Sequence, residues 1–350
     1  MYHSESSYIE NTSLHLVGNK SNEENIRFSS NLLNISTDLN RILLHYFLSS
    51  FKSNEFYNFY HDINIEMNEV YVCVKNIFKN NETLHTQSIN LAKHLYKKST
   101  HPQIKGGEFY TVYFKDCILE GEIVDAIGLF KSENKDTFLK VSTLKNDFKI
   151  ETVEGVNINK LDKGCLIFNK ECESGYIVTI VDNTNKGIEA QYWLDDFLSI
   201  RQRNDEYHDT QNILSLCKNF IKKELPKHFE ISKADQAELL NKSVSYFKNN
   251  ENFNMKEFAS EVICQPEIIN TFNQYKSSFQ EDYDIRIADN FTISESAVKK
   301  QVRSIKSVIK LDKNFDIYIH GNSELIEQGA SGYVRSRTYL HSPRSLSFRC

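Results

Sequence analysis

The 350 residues are 40% hydrophobic, enough to bury a sizeable core and, at this length, to form two domains. Formal net charge is −5 and the pI is near 6.2. That balance excludes a uniformly basic surface, so any contact with phosphate has to come from a local patch. No apolar run approaches the ~18 residues of a membrane helix. The opening MYHSESSYIEN lacks the basic-then-apolar layout of a secretion signal, and the expectation is a cytoplasmic protein without membrane contact.

After a strand-like opening, Leu39, Ile42, Leu43, Tyr46 and Phe47 recur at helical spacing, with Thr37 placed to cap the helix. Val70, Cys73, Val74, Ile77 and Phe78 repeat the spacing. VYVCV is also rich in β-branched residues, but helix is favoured. Leu84, Ser88, Leu91, Ala92 and Leu95 give a third helical face, which STHPQIKGGE ends. From Glu108 the period falls to two: Tyr110, Val112 and Phe114 alternate, and Ile123–Phe130 continues as a strand. SENKD reads as the turn of a hairpin closed by TFLKV, and CLIFN and GYIVTIVD bracket a second turn at Glu171–Gly175. An antiparallel sheet of about five or six strands follows, its apolar face needing a cover. A helix from Glu189 to Leu198 supplies one through Ala190, Trp193, Leu194, Phe197 and Leu198, leaving Asp195 and Asp196 outside.

Beyond Arg201 the pattern is helical. Ile213, Leu216, Cys217, Phe220 and Ile221 mark one helix, ended at Pro226. Ser232 with Asp235 opens the next, Pro266 suits a first helical turn, and Thr292 with Glu295 forms a capping pair. Strands Val308–Leu311 and Phe315–His320 form a closing hairpin. The predicted fold is α+β: an antiparallel sheet flanked by helices, then a mainly helical C-terminal part ending in a β-hairpin. The predicted domains are 1–225 and 226–328, followed by an atypical basic tail, 329–350. No acidic residue follows Glu327, while four of the ten arginines (Arg335, Arg337, Arg344, Arg349) lie in the last sixteen positions. A disordered basic tail and a shift of reading frame or cloning scar account for this equally well.

The chemistry-bearing residues form no catalytic signature. The seven cysteines (Cys73, Cys117, Cys165, Cys172, Cys217, Cys264, Cys350) are scattered and never spaced C-x-x-C, so reduced, mostly buried thiols are expected. The eleven histidines are equally dispersed; no metal and no cofactor is expected. Glycine-rich phosphate loops and G-x-S-x-G are absent. Asp125 with Glu133-x-Lys135 has the residue types of a metal-dependent nuclease, an acidic pair for a divalent ion and a lysine to polarise water. Glu133 and Lys135, however, sit in a predicted turn, a strand length from Asp125. Basic residues cluster twice. Lys299, Lys300, Arg303, Lys306 and Lys310 lie on a capped helix and the hairpin after it, an order that resembles a winged helix. Lys218, Lys222, Lys223 and Lys227 form a second candidate patch on one amphipathic helix. Either set suits phosphate neutralisation, but a solvated helix face is the more ordinary reading of both, and more so for the second.

Taken in order, the blocks IGLFKSENKDTFLKV, LDKGCLIFN and GYIVTIVDNTNKGIEAQYWLDDFL (within Ile127–Leu198), together with SVIKLDKNFDIYIHG (Ser307–Gly321), resemble the bacterial nucleoid-associated protein family, the YejK-like proteins. The resemblance implies a cytoplasmic, nucleoid-located protein that binds double-stranded DNA with little sequence preference and has no catalytic activity. It carries over no DNA-contact residue. The alternative is an interaction adaptor, recruited to the nucleoid by a protein partner such as a DNA-topology enzyme; a metal-dependent nuclease is the remote third reading.

Overall fold

The computed structural model describes residues 2–3, 6–52, 54–145, 147–184, 192–283 and 285–302, and the backbone of four short strands beyond them. The chain divides between Arg203 and Asn204 into two compact units.

The first unit is built on one antiparallel sheet. Its strands are β1 (Tyr2–His3), β2 (Tyr8–Val17), β3 (Ile26–Phe28), β4 (Tyr57–Phe59), β5 (Gly107–Leu119), β6 (Glu122–Ser132), β9 (Lys163–Phe168), β10 (Ile177–Asp182) and β11 (Ile200–Gln202). They lie in the order β11-β4-β10-β9-β6-β5-β2-β3, with β1 beside β5. Alternation along the central strands sends side chains to two separate cores. Phe109, Tyr113, Ile127, Leu129, Cys165 and Ile167 meet helices α2 (Glu69–Lys79) and α3 (Leu84–Lys98). Val112, Phe114, Phe130, Leu166 and Phe168 meet Tyr46, Phe47 and Leu48 of helix α1 (Thr37–Leu48). Both faces are covered, which makes β5 and β6 almost continuously buried. The cap of α1 sits one residue before the predicted one, Ser36 and not Thr37 accepting the Leu39 N–H, and Asn68 caps α2.

The covering segment over Trp193 is a π-helix, Tyr192–Leu198, where an α-helix from Glu189 was expected; Glu189 and Ala190 lie outside the described residues. Its wider winding turns successive side chains through a smaller angle, so Tyr192 and Trp193 both reach inward. Both are buried, as are Phe197 and Leu198, while Asp195 and Asp196 are exposed. The β9–β10 hairpin forms as expected, and Gly175 in its turn takes φ +94°, where a Cβ would also meet the Phe59 carbonyl.

The first predicted hairpin is not formed. TFLKV lies in β7 (Asp136–Leu144), which pairs with β8 (Asp147–Gly155) and not with β6. Ordered hydrogen bonds undo the SENKD turn: Asp162 accepts the backbone N–H groups of Glu133 and Asn134, at 2.6 and 2.8 Å, and the Asn134 side-chain amide at 2.9 Å. The chain is thereby held to the segment ahead of β9, and β7–β8 form a two-stranded sheet of their own.

The second unit packs helices around its own core, Ile213, Leu216, Phe220, Phe247, Phe258 and Phe272 among its residues. Helix α4 (Glu206–Asn219) runs through a π-helical turn, Phe220–Glu224, into the short helix α5 (Leu225–His228). Pro226 therefore neither ends the helix nor divides the chain; it occupies the first turn of α5, where no intrahelical N–H is needed. Helix α6 (Lys233–Asn249) opens on the predicted Ser232–Asp235 capping box. After β12 (Asn252–Asn254) come α7 (Met255–Phe258) and α8 (Pro266–Tyr283), with Pro266 in the first turn. Thr292 belongs to strand β13 (Asn290–Thr292), and Ser294 stands at the cap position of α9 (Glu295–Val302), accepting from the Ala297 N–H. Strands β14 (Val308–Lys310) and β15 (Asp316–Tyr318) form the expected hairpin, and β16 (Ile326–Gln328) pairs with β17 (Val334–Ser336). Positions 337–350, most of the basic tail, lie outside the described residues.

Candidate nucleic-acid interface

On α4 and its continuation, Ile213, Leu216, Cys217, Phe220 and Ile221 turn into the core, which leaves Lys222 and Lys223 exposed and Lys218 half-buried. Lys227 is exposed and paired at 2.7 Å with Glu224, which also holds His228 at 2.9 Å. Those two partners keep the Glu224 carboxyl below its ordinary range. Lys222 behaves differently. Desolvation lowers its ammonium below the usual lysine range, and the like charges of Lys218 and Lys233 lower it further. Lys233 is exposed at the start of α6. Three lysines from two helices therefore share one field. The sequence patch contained Lys218 and Lys222 but not Lys233, which comes from the next helix and could be placed only by tertiary packing.

The other patch is described in part. Lys299 and Lys300 are exposed on α9, whose Ala297 and Val298 are buried. Lys299 pairs with Glu295 one turn earlier at 3.0 Å, both side chains being solvated, and Lys300 lies 5.9 Å from the centre of the Tyr207 ring. Arg303 and Lys306 lie outside the described residues, and for Lys310 the structure gives only its place in β14.

The nuclease triad does not assemble. Asp125 accepts from Tyr113 at 2.9 Å and Lys115 at 2.8 Å, and Lys135 pairs with Glu108 at 2.7 Å. Glu133 stands eight positions of extended chain from Asp125, roughly 25 Å, and belongs to a different cluster. There Lys131 and Lys163, both with fully buried side chains, meet Glu133 at 3.0 and 3.9 Å. Tyr192 donates to Glu133 at 2.7 Å and accepts from Lys131 at 3.1 Å. Lys163 donates to both Asp182 oxygens, at 2.9 and 2.8 Å, and to Thr184 at 2.6 Å. Burial pushes the Lys131 ammonium down, against the pull of Glu133. Two buried cations and two carboxylates thus satisfy one another across β6, β9, β10 and the π-helix, an arrangement that fastens these elements together.

Among the described residues no group of three or more His, Cys, Asp or Glu side chains is placed to hold a metal ion. Cys73, Cys117, Cys165, Cys172 and Cys217 are free thiols, all but Cys172 buried. No helix among the described residues is long and apolar enough to cross a membrane.

The fold and its polar chemistry define a two-unit α+β protein with buried structural charge in one unit and surface lysine clusters in the other. The family described as nucleoid-associated protein YejK matches residues 13–335, and the chain belongs to that family. No match is found among curated proteins.

Proposed function

We propose that this nucleoid-associated protein binds double-stranded DNA directly, with little sequence preference and no catalytic step, through lysines of the second unit. One observation carries the reading: Lys218, Lys222 and Lys233 converge from two helices, and their like charges add to the desolvation that already depresses the Lys222 ammonium. Such a cluster lowers its energy by meeting phosphate. Charge partition supports it. The second unit, 204–350, carries twenty basic and twenty acidic residues, so the whole net charge of −5 belongs to the first unit. Lys223, Lys227, Lys299, Lys300, Arg303, Lys306 and Lys310 are the further candidates for phosphate contact.

The test is a salt titration of duplex binding by the full chain, with Lys222→Gln/Lys233→Gln and Lys299→Gln/Lys300→Gln as separate variants. Expected are a steep fall of affinity with salt, similar for unrelated sequences, and a slope shallower by about 2 in the Lys222/Lys233 variant. Loss confined to the Lys299/Lys300 variant would move the interface to α9. A slope near zero for the unmodified chain would overturn direct binding and leave recruitment by a protein partner, such as a DNA-topology enzyme.

A further inference from the structure

Among the described residues the β7–β8 hairpin pairs with no other strand, and its register sorts its side chains unequally. Cross-strand partners share a face. Leu139, Val141 and Thr143 of β7 therefore lie with Thr152, Ile150 and Phe148 of β8. On this face Leu139 is 71% exposed, Val141 60%, Phe148 69% and Ile150 65%. The opposite face carries the charged Lys140–Glu151 and Ser142–Lys149 pairs at its centre, which separate Phe138 and Val153 at one end from Leu144 at the other. Alternation of this kind normally presses the apolar face onto a core, but among the described residues no core lies beneath it. A lone two-stranded hairpin is at best marginal in water, and its two free edges invite further pairing.

We propose that β7–β8 is a self-association arm whose apolar face packs against the same face of a second copy of this chain. The area fits. The four apolar side chains expose on the order of 500 Å², among the largest patches a monomer carries. Covering two such faces removes about 1,000 Å², the threshold of a specific interface, before the threonines and backbone are counted. Charge selects the occupant. Between its ends the face is uncharged, so it meets its own image without repulsion. At the base Glu154 lies on this face, opposite Thr137, and at the tip stands the exposed Lys145. Antiparallel arms related by a two-fold axis set each Lys145 against the other copy's Glu154; parallel arms set like against like.

The experiment is sedimentation equilibrium of the full chain across the micromolar range. A dimer is expected, and Val141→Glu/Ile150→Glu should weaken it roughly a hundredfold. Both positions are solvated in the single chain, so the far-ultraviolet circular dichroism and Trp193 emission of the variant should match the unmodified protein. Lys145→Glu should weaken the dimer roughly fivefold, and adding Glu154→Lys should restore it. An unmodified chain that stays monomeric, or a folded Val141→Glu/Ile150→Glu variant that stays dimeric, would overturn the proposal, including in favour of an unrelated protein as the occupant. A charge exchange that fails to restore association would overturn the antiparallel arrangement.

Discussion

Replacing Glu133 by glutamine tests the energetics of the buried charge cluster. The carboxylate is 3% exposed, and its two lysine neighbours are wholly enclosed at 3.0 and 3.9 Å. At an effective dielectric of about 20, each contact supplies roughly 4–6 kcal/mol of attraction, most of it offset by the desolvation of the ions. Glutamine keeps the shape but removes the carboxylate charge that pairs Lys131, while Lys163 keeps Asp182. The expected loss is about 3–5 kcal/mol, a large part of the stability of a single unit. Trp193 is the only tryptophan of the chain and is fully buried in the first unit, so its emission in a urea titration follows that unit alone. Replacing both partners with apolar residues, Lys131→Met/Glu133→Leu, should cost less than Glu133→Gln by itself. The pH dependence has a definite sign. The folded Lys131 ammonium titrates below the ordinary lysine value, so the unfolded chain binds more protons between the two. Stability therefore rises with pH through that window, and Glu133→Gln widens it, so the deficit should shrink as pH approaches the lysine range. A glutamine variant within about 1 kcal/mol of the unmodified protein at neutral pH would show that the cluster is hydrated and refute this account.

Trp193→Ala should cost about 3–5 kcal/mol, measured by circular dichroism, since the ring is fully buried and lies 5.0 Å from Phe197; emission from Trp193 typical of water would sink this expectation at the outset. His15 is held neutral, its pKa lowered to about 4 by burial and then by His85. Its Nδ1 accepts the Ser29 N–H at 3.2 Å, leaving Nε2 to donate to Ser88 at 2.8 Å. Unfolded histidine binds a proton below about 6.5, so the contribution of His15 is complete above that pH. It is lost as pH falls to 4, at roughly 3 kcal/mol over the interval. His15→Gln should flatten this part of the pH profile of Trp193-monitored stability, and an unchanged profile would remove His15 as its source.

Local signals served where the structure they specify is local. The apolar spacing in Val70–Phe78 and Leu84–Leu95 was enough for α2 and α3, and the Glu171–Gly175 turn was enough for β9–β10. They misled where two local solutions compete. SENKD and the sequence KND after Leu144 carry equally good turn residues, and what separates them is Asp162, a distant acceptor that takes the Glu133 and Asn134 N–H groups. The same limit governed the charged residues. Lys131 follows the predicted strand and carries no sequence signal of burial, but pairing with Lys163 of β9 and contact with Tyr192 and Glu133 enclose it. Lys233 reads as an isolated cation because its neighbours Lys218 and Lys222 come from another helix.

Enclosure of Lys131 and Lys163 also makes them silent toward amine-directed chemistry. An acylating reagent reaches surface lysines such as Lys140, Lys222 and Lys299 directly, but it meets these two side chains only when the first unit opens. Their labelling rate at low reagent therefore follows the opening equilibrium and not intrinsic amine reactivity. Once acylated, either residue loses the charge that balances Glu133 and Asp182 and gains bulk that a closed unit has no room for. The modification would trap the open form, and label at these positions would mark molecules that had unfolded and failed to return.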